Sequence, residues 1–221
     1  MIDQLIIGGV GSYDKFEANV KERTIKSPKK KSITETVPFS NITYDYSSMN
    51  GETYWEQREL EYVFEITADS PEELEVKKQP FVAWIMNVED EEIHDPFIRD
   101  YHFKGTFEDI DPDDSEIEKS TITVTFKAYP YKIANKKRII PVNITTNEIT
   151  VKVPNLSNHR IVPTFKSDVE FALKMGASSF GLPVGEITSD SIMFNPGTNT
   201  VKLATVTGTG TVMIEFYEEV L

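Results

Sequence analysis

A mainly β fold in two domains is what this chain of 221 residues predicts, on three observations. Short segments alternate apolar and polar residues with a period of two, turn-forming residues separate them, and a complete helix-start signal stands at one place. The alternation is cleanest over residues 121–126, where Ile122, Val124 and Phe126 fall on one face and threonines on the other. Residues 60–66 are rich in β-branched and aromatic side chains. Residues 148–153 set Ile149, Val151 and Val153 on one face, with Thr150 and Lys152 opposite. Further short strands are expected at 191–194, 200–203 and 211–216. Asn50-Gly51, Asn195-Pro196-Gly197 and Gly208-Thr209-Gly210 supply turns between strands.

The helix signal is Ser70-Pro71-Glu72-Glu73. A serine cap accepts a backbone N–H, proline suits the first helical position because it leaves no N–H unpaired, and Glu73 can reach back to the N–H of the cap. Leu74, Phe81 and Ile85, with Trp84 beside them, form the apolar face. Pro80 lacks an N–H and clashes with the preceding turn. One kinked helix is therefore expected, or a broken one whose second part runs from Pro80 to about Met86.

Residues 26–50 differ in character: they are polar, hold Pro28 and Pro38, and carry Tyr44 and Tyr46 among serines and threonines. They read as an arm or hairpin projecting from the core, either simply solvated or reaching a neighbouring subunit. A domain boundary falls after Tyr131, where Ala128-Tyr129-Pro130-Tyr131-Lys132 ends a strand and a basic, loop-like stretch follows. The domains are then 1–131, with its arm at about 26–50, and 132–221, whose closely spaced strands suit a small β-sandwich.

Composition narrows the function classes. The formal net charge of -13 disfavours nucleic acid or an anionic membrane surface as the main partner. The absence of cysteine removes disulfides, thiolate catalysis and cysteine-based metal centres. The first residues lack the basic region of a signal peptide, and no stretch approaches the roughly 20 apolar residues of a membrane-spanning helix. Assembly in a reducing cytoplasm is the expectation. Lys29-Lys30-Lys31 and Lys136-Lys137-Arg138 are basic runs, and acid concentrates at 89–92 and 109–118. These read as solvated loops, or as complementary patches between copies of the chain.

Catalytic patterns are missing. His94-Asp95 with His102 loosely resembles a metal or acid/base cluster, but a spacing of eight residues matches no helical metal motif, and structural hydrogen bonding is expected. Residues 111–116 are dense in carboxylates, yet Glu116 and Ile122 stand where an EF-hand needs glycine and glutamate; an acidic surface loop is expected. Gly9-Val10-Gly11-Ser12 lacks the lysine of a phosphate loop, and Ser178 and Ser179 lack a nucleophile elbow. No catalytic residue, cofactor or metal ligand is assigned, and a non-enzymatic role is expected.

Several segments in order resemble the distal tail protein family of siphophages. In the first domain these are 31–40, Tyr44-Asp45-Tyr46 with the Ser-Ser-Met-Asn-Gly turn at 47–51, the stretch 54–66, the helix with Trp84, the 93–105 stretch ending Tyr101-His102-Phe103-Lys104-Gly105, and 125–132. In the second they are 161–165, 194–201 and 208–217. The resemblance implies an N-terminal ring-forming domain and a C-terminal galectin-like β-sandwich. It implies a homohexameric ring at the tip of a phage, prophage or tailocin tail, assembled in the host cytoplasm. Such a ring joins the major tail tube protein to a tail-associated lysin or fibre hub and docks receptor-binding proteins. Lys30, Lys31, Tyr44, Tyr46, Met49, Tyr54 and Trp55 are the expected interface residues, with Lys29 and its neighbours meeting acid on the adjoining copy. A carbohydrate-binding module contacting the host wall is the alternative. For it, Phe165, Phe171 and Phe180 are the candidate aromatic platform, although Asn195-Pro196 is followed by Gly197 rather than the arginine of a galectin site and the second domain has no tryptophan.

Overall fold

The computed structural model describes residues 3–36, 38–39, 41–47, 53–113 and 116–221. The chain divides into two compact units, one running through Ile133 and including Leu221, the other spanning Ala134–Val220.

The first unit contains, in order, β1 (Ile6–Ile7), β2 (Val10–Gly11), α1 (Ser12–Phe16), β3 (Asn19–Ile25), β4 (Thr34–Thr36), β5 (Thr43–Asp45), β6 (Arg58–Thr67), α2 (Pro71–Met86), β7 (Glu91–His94), β8 (Tyr101–Asp113) and β9 (Lys119–Ala128). The main sheet is antiparallel, with the order β2-β1-β7-β8-β9-β6-β3. A short strand β10 (Lys132–Ala134) also pairs with β8. Period-two alternation is realised at the sheet centre. Leu60, Tyr62, Phe64 and Ile66 of β6, and Ile122, Val124 and Phe126 of β9, are wholly buried. Gly105 of β8 sits in close packing, since a Cβ there would lie 3.1 Å from the Lys127 carbonyl oxygen and 3.1 Å from Ile93 Cδ1, and those neighbours would have to give way slightly.

Helix α2 covers this face with Leu74, Phe81 and Ile85 buried and Trp84 packed against the same core. Phe81 meets Phe64 edge-on at 5.0 Å and Phe16 at 6.0 Å, and Phe16 stacks on Trp84 at 4.9 Å. The helix runs unbroken through Pro80, so the expected alternative of a second helix is not what forms. The proline leaves the carbonyl of Val76 without its usual partner. Val76 is on the exposed side, where water can serve that carbonyl, while Leu74 and Phe81 anchor the helix on either side. At the N-terminus Ser70 Oγ accepts from the Glu73 N–H at 3.2 Å, and Glu73 reaches back to the N–H of Asp69 rather than to that of the cap itself. Ser70→Ala is expected to lower stability by about 1 kcal/mol in denaturant titration.

Two expectations in this unit change. The short helix α1 was not anticipated; it is held by Ser12, whose buried Oγ accepts from the Leu5 N–H and donates to the Ala18 carbonyl. The acidic stretch is strand rather than loop as far as Asp113, because Asp111, Pro112 and Asp113 pair with Thr123, Ile122 and Thr121. Asp114 and Ser115 lie outside the described residues.

The second unit contains β11 (Arg138–Thr145), β12 (Ile149–Asn155), β13 (Thr164–Ser167), β14 (Phe171–Met175), β15 (Ser178–Leu182), β16 (Gly185–Thr188), β17 (Gly197–Thr205), β18 (Thr209–Phe216) and β19 (Glu219–Val220). Two antiparallel four-stranded sheets, β11-β18-β13-β16 and β12-β17-β14-β15, close over one core. Val142, Phe165, Val212 and Ile214 come from the first sheet, and Val153, Phe171, Leu173, Val201 and Leu203 from the second. This is a β-sandwich. The expected strand at 191–194 is a loop instead, with Phe194 bridged only to Ile161. Its apolar residues Ile192 and Phe194 are buried all the same, and the Phe194 carbonyl accepts from Asn155 Nδ2 at 3.0 Å. The segment is apolar because it fills the core, not because it joins a sheet.

Glu148 sits between Lys174 Nζ at 2.7 Å and Lys202 Nζ at 2.9 Å. Hydrogen bonds from these ammonium groups, and then their charges, hold its carboxyl down to about 2 from an ordinary 4.5. A carboxyl depressed by folding stabilises the fold above its unfolded pKa and loses that contribution as pH falls through the folded one. Glu148→Gln is therefore expected to melt below the parent at neutral pH, with the gap closing between pH 4.5 and about 2 and shrinking in high salt.

Candidate functional site

Strands β4 and β5 form a hairpin that, among the described residues, pairs with no other strand. Thr34, Glu35 and Thr36 face Asp45, Tyr44 and Thr43 in register, and all six residues are exposed. The hairpin is tied down at its root. Lys30 bridges to Trp55, the Lys31 N–H donates to the Tyr54 carbonyl at 2.8 Å, and the Glu56 N–H donates to the Lys29 carbonyl at 2.8 Å. Ser47, buried in this exposed segment, accepts from the Ile33 N–H through Oγ and donates its own N–H to Asp45 Oδ1. Hydrogen bonds from the Ser47 side chain and then from its backbone N–H, helped by the charge of Lys30, hold the Asp45 carboxyl below its ordinary range. The described residues of this polar segment are thus held by hydrogen bonds without a core of their own.

The hairpin presents apolar surface to solvent. Tyr44 and Tyr46 stack at 6.3 Å with their ring planes 21° apart. They are 47% and 41% exposed, Ile33 and Ile42 47% and 58%, and Phe39 is fully exposed. Phe39 also has a positive φ of 65°, a turn conformation that a bulky residue adopts only at a cost. Of the expected interface residues, Tyr44 and Tyr46 lie on the hairpin, while Lys30, Lys31, Tyr54 and Trp55 lie at its root. Met49 and the turn at Asn50-Gly51 lie outside the described residues. Ile33, Phe39 and Ile42 were missed, because β-branched and aromatic residues in a strand pattern are ordinarily counted toward a core.

Beside the root is a cleft lined by Ile25, Lys26, Pro28, Trp55 and Arg58. Arg58 is buried, with Nε and Nη2 unpaired and the guanidinium 5.4 Å from the centre of the Phe103 ring. Burial lowers its pKa. The unpaired N–H groups of such a buried guanidinium can donate to a carboxylate.

The histidine-rich segment separates into two arrangements. Asp95 is a structural group: its buried carboxylate accepts from Arg23 Nη1 at 2.7 Å, from the Tyr62 hydroxyl at 3.1 Å and from the Phe97 N–H at 2.8 Å. Burial, followed by the charge of Asp95, pushes the Tyr62 hydroxyl well above its ordinary pKa. His94 and His102 are brought together, 5.0 Å between ring centres, with Glu92 beside them. In the sandwich, Phe165 and Phe171 are in the core and Phe180 packs against it, so these rings do not form an exposed sugar platform.

No protein-family model and no curated protein matches the sequence. Among solved structures, the chain is similar in fold to the SPP1 Dit (gp 19.1) protein, described as a paradigm of the hub adsorption apparatus in phages that infect Gram-positive hosts. The TM-score is 0.72 at 16% identity, and the match covers 100% of both chains. Chains of the phage P2 baseplate in its activated conformation, with calcium or with strontium, match at TM-scores of 0.43 and 0.41 and 9% identity, covering 97% and 98% of this chain and 98% of each of those. The likeness to SPP1 Dit is one of fold, and it extends over both units.

Proposed function

We propose that this chain is a distal tail protein, a structural subunit that closes in six copies into a ring at the tip of a siphophage, prophage or tailocin tail. The observation that carries this reading is the likeness in fold to SPP1 Dit over the full length of both chains. Two features of the molecule support it. The hairpin offers apolar residues that serve neither core, as an interface anchor would. At its root, Lys30, Lys31 and the unpaired donors of Arg58 suit acid from a neighbouring copy, and acid is abundant in this chain.

The role is assembly rather than catalysis. Identical subunits in a closed ring meet through two different patches, so the hairpin of one copy would seat on the first unit of the next. One face of the ring would receive the tail tube protein and the other a tail-associated lysin or fibre hub, with receptor-binding proteins docked around it. The test is location: tail particles assembled with a tagged chain and gold-labelled should carry label at the tail tip alone. Label along the tube, or none on the particle, would remove the proposal.

A further inference from the structure

We propose that Glu92, His94 and His102 form a binding site for a divalent first-row transition metal, best represented by zinc. Strands β7 and β8 are antiparallel, with Glu92 opposite Lys104 and Ile93 opposite Phe103. Continuing that register by one residue sets His94 across from His102. Glu92, two residues before His94, shares its sheet face. Ile93 and Phe103, on the other face, are wholly buried and hold the two strands in place.

The donor set has the right chemistry. Two imidazoles and one carboxylate are the ligands of many zinc and related sites, and their nitrogen and oxygen donors suit this group of metals better than calcium or magnesium. One donor atom from each residue lies within 4.8 Å of the others. Glu92 Oε2 is 3.2 Å from His94 Nε2, and Oε1 is 3.9 Å from His102 Nε2. With metal–ligand bonds of about 2.0–2.1 Å, ligand atoms in a tetrahedral site lie about 3.3 Å apart. The carboxylate and His94 already meet that spacing. His102 is buried and fixed, whereas Glu92 and His94 are exposed enough to rotate toward it. The competing cation on the same face, Lys104, is directed to Asp90 at 2.7 Å and leaves Glu92 to the histidines. Three protein ligands leave a fourth position for water or for a donor from another molecule.

Calorimetric titration of the full-length chain with zinc chloride, alongside His94→Ala and Glu92→Gln, tests the site. Glu92 is exposed and His94 half-buried, and circular dichroism establishes that both variants fold. The parent is expected to bind one zinc per chain and to melt higher in its presence, with binding weakened at least tenfold by either substitution and the melting shift lost. The absence of saturable binding by the parent, or equal zinc affinity in the parent and both variants, would overturn the proposal.

Discussion

Phe81→Ala is expected to remove about 3–5 kcal/mol of unfolding free energy. The ring is wholly buried and meets Phe64 at 5.0 Å, Phe16 at 6.0 Å and Trp84 at 5.9 Å, so truncation leaves a void between α2 and the sheet that neither side can readily fill. Native domains are stable by only about 5–15 kcal/mol in total, so the first unit should approach the edge of folding. In urea titration of the full chain, unfolding of the first unit should move to markedly lower denaturant. The sandwich, whose core holds no residue of α2, should keep its midpoint. Val76→Ala on the exposed side of the same helix should change stability by less than about 0.5 kcal/mol. Equal effects of the two substitutions would mean that α2 does not pack as described.

The second large effect concerns assembly rather than folding. Replacing Tyr44 and Tyr46 together by serine should leave the melting temperature of the isolated chain nearly unchanged, because both rings are exposed and belong to neither core. Ring formation should weaken by about thirtyfold or more if the pair is an anchor worth about 2 kcal/mol. Sedimentation at a series of concentrations reads this directly. A double variant that assembles like the parent would move the interface away from the hairpin.

Much of the first unit was legible from local chemistry. Ile122, Val124 and Phe126 alternate because one face of β9 is buried, and Ser70-Pro71 begins α2 because a capped start is encoded within four residues. Legibility failed where burial arises without regular structure. Ile192 and Phe194 carry a strand-like apolar pattern, yet their burial comes from a loop held by Asn155, a residue 39 positions away from Phe194. It failed also where the partner lies on another strand. His94 and His102 match no linear spacing rule, since only the register of β7 against β8 makes them neighbours. The exposure of the strands at 34–45 agrees with the polarity of residues 26–50, but that of Ile33, Phe39 and Ile42 was not legible, because in sequence an apolar residue left exposed looks like one bound for a core.

The chain is similar in fold to SPP1 Dit from end to end, and the proposed ring would pack through the exposed hairpin. The mass of the assembled chain tests this most directly. Multi-angle light scattering at micromolar concentration, repeated with the tail tube protein present, should give a particle of about 150 kDa, six times the 25.1 kDa chain, before any partner mass is added. A particle of 25.1 kDa under both conditions would contradict the ring.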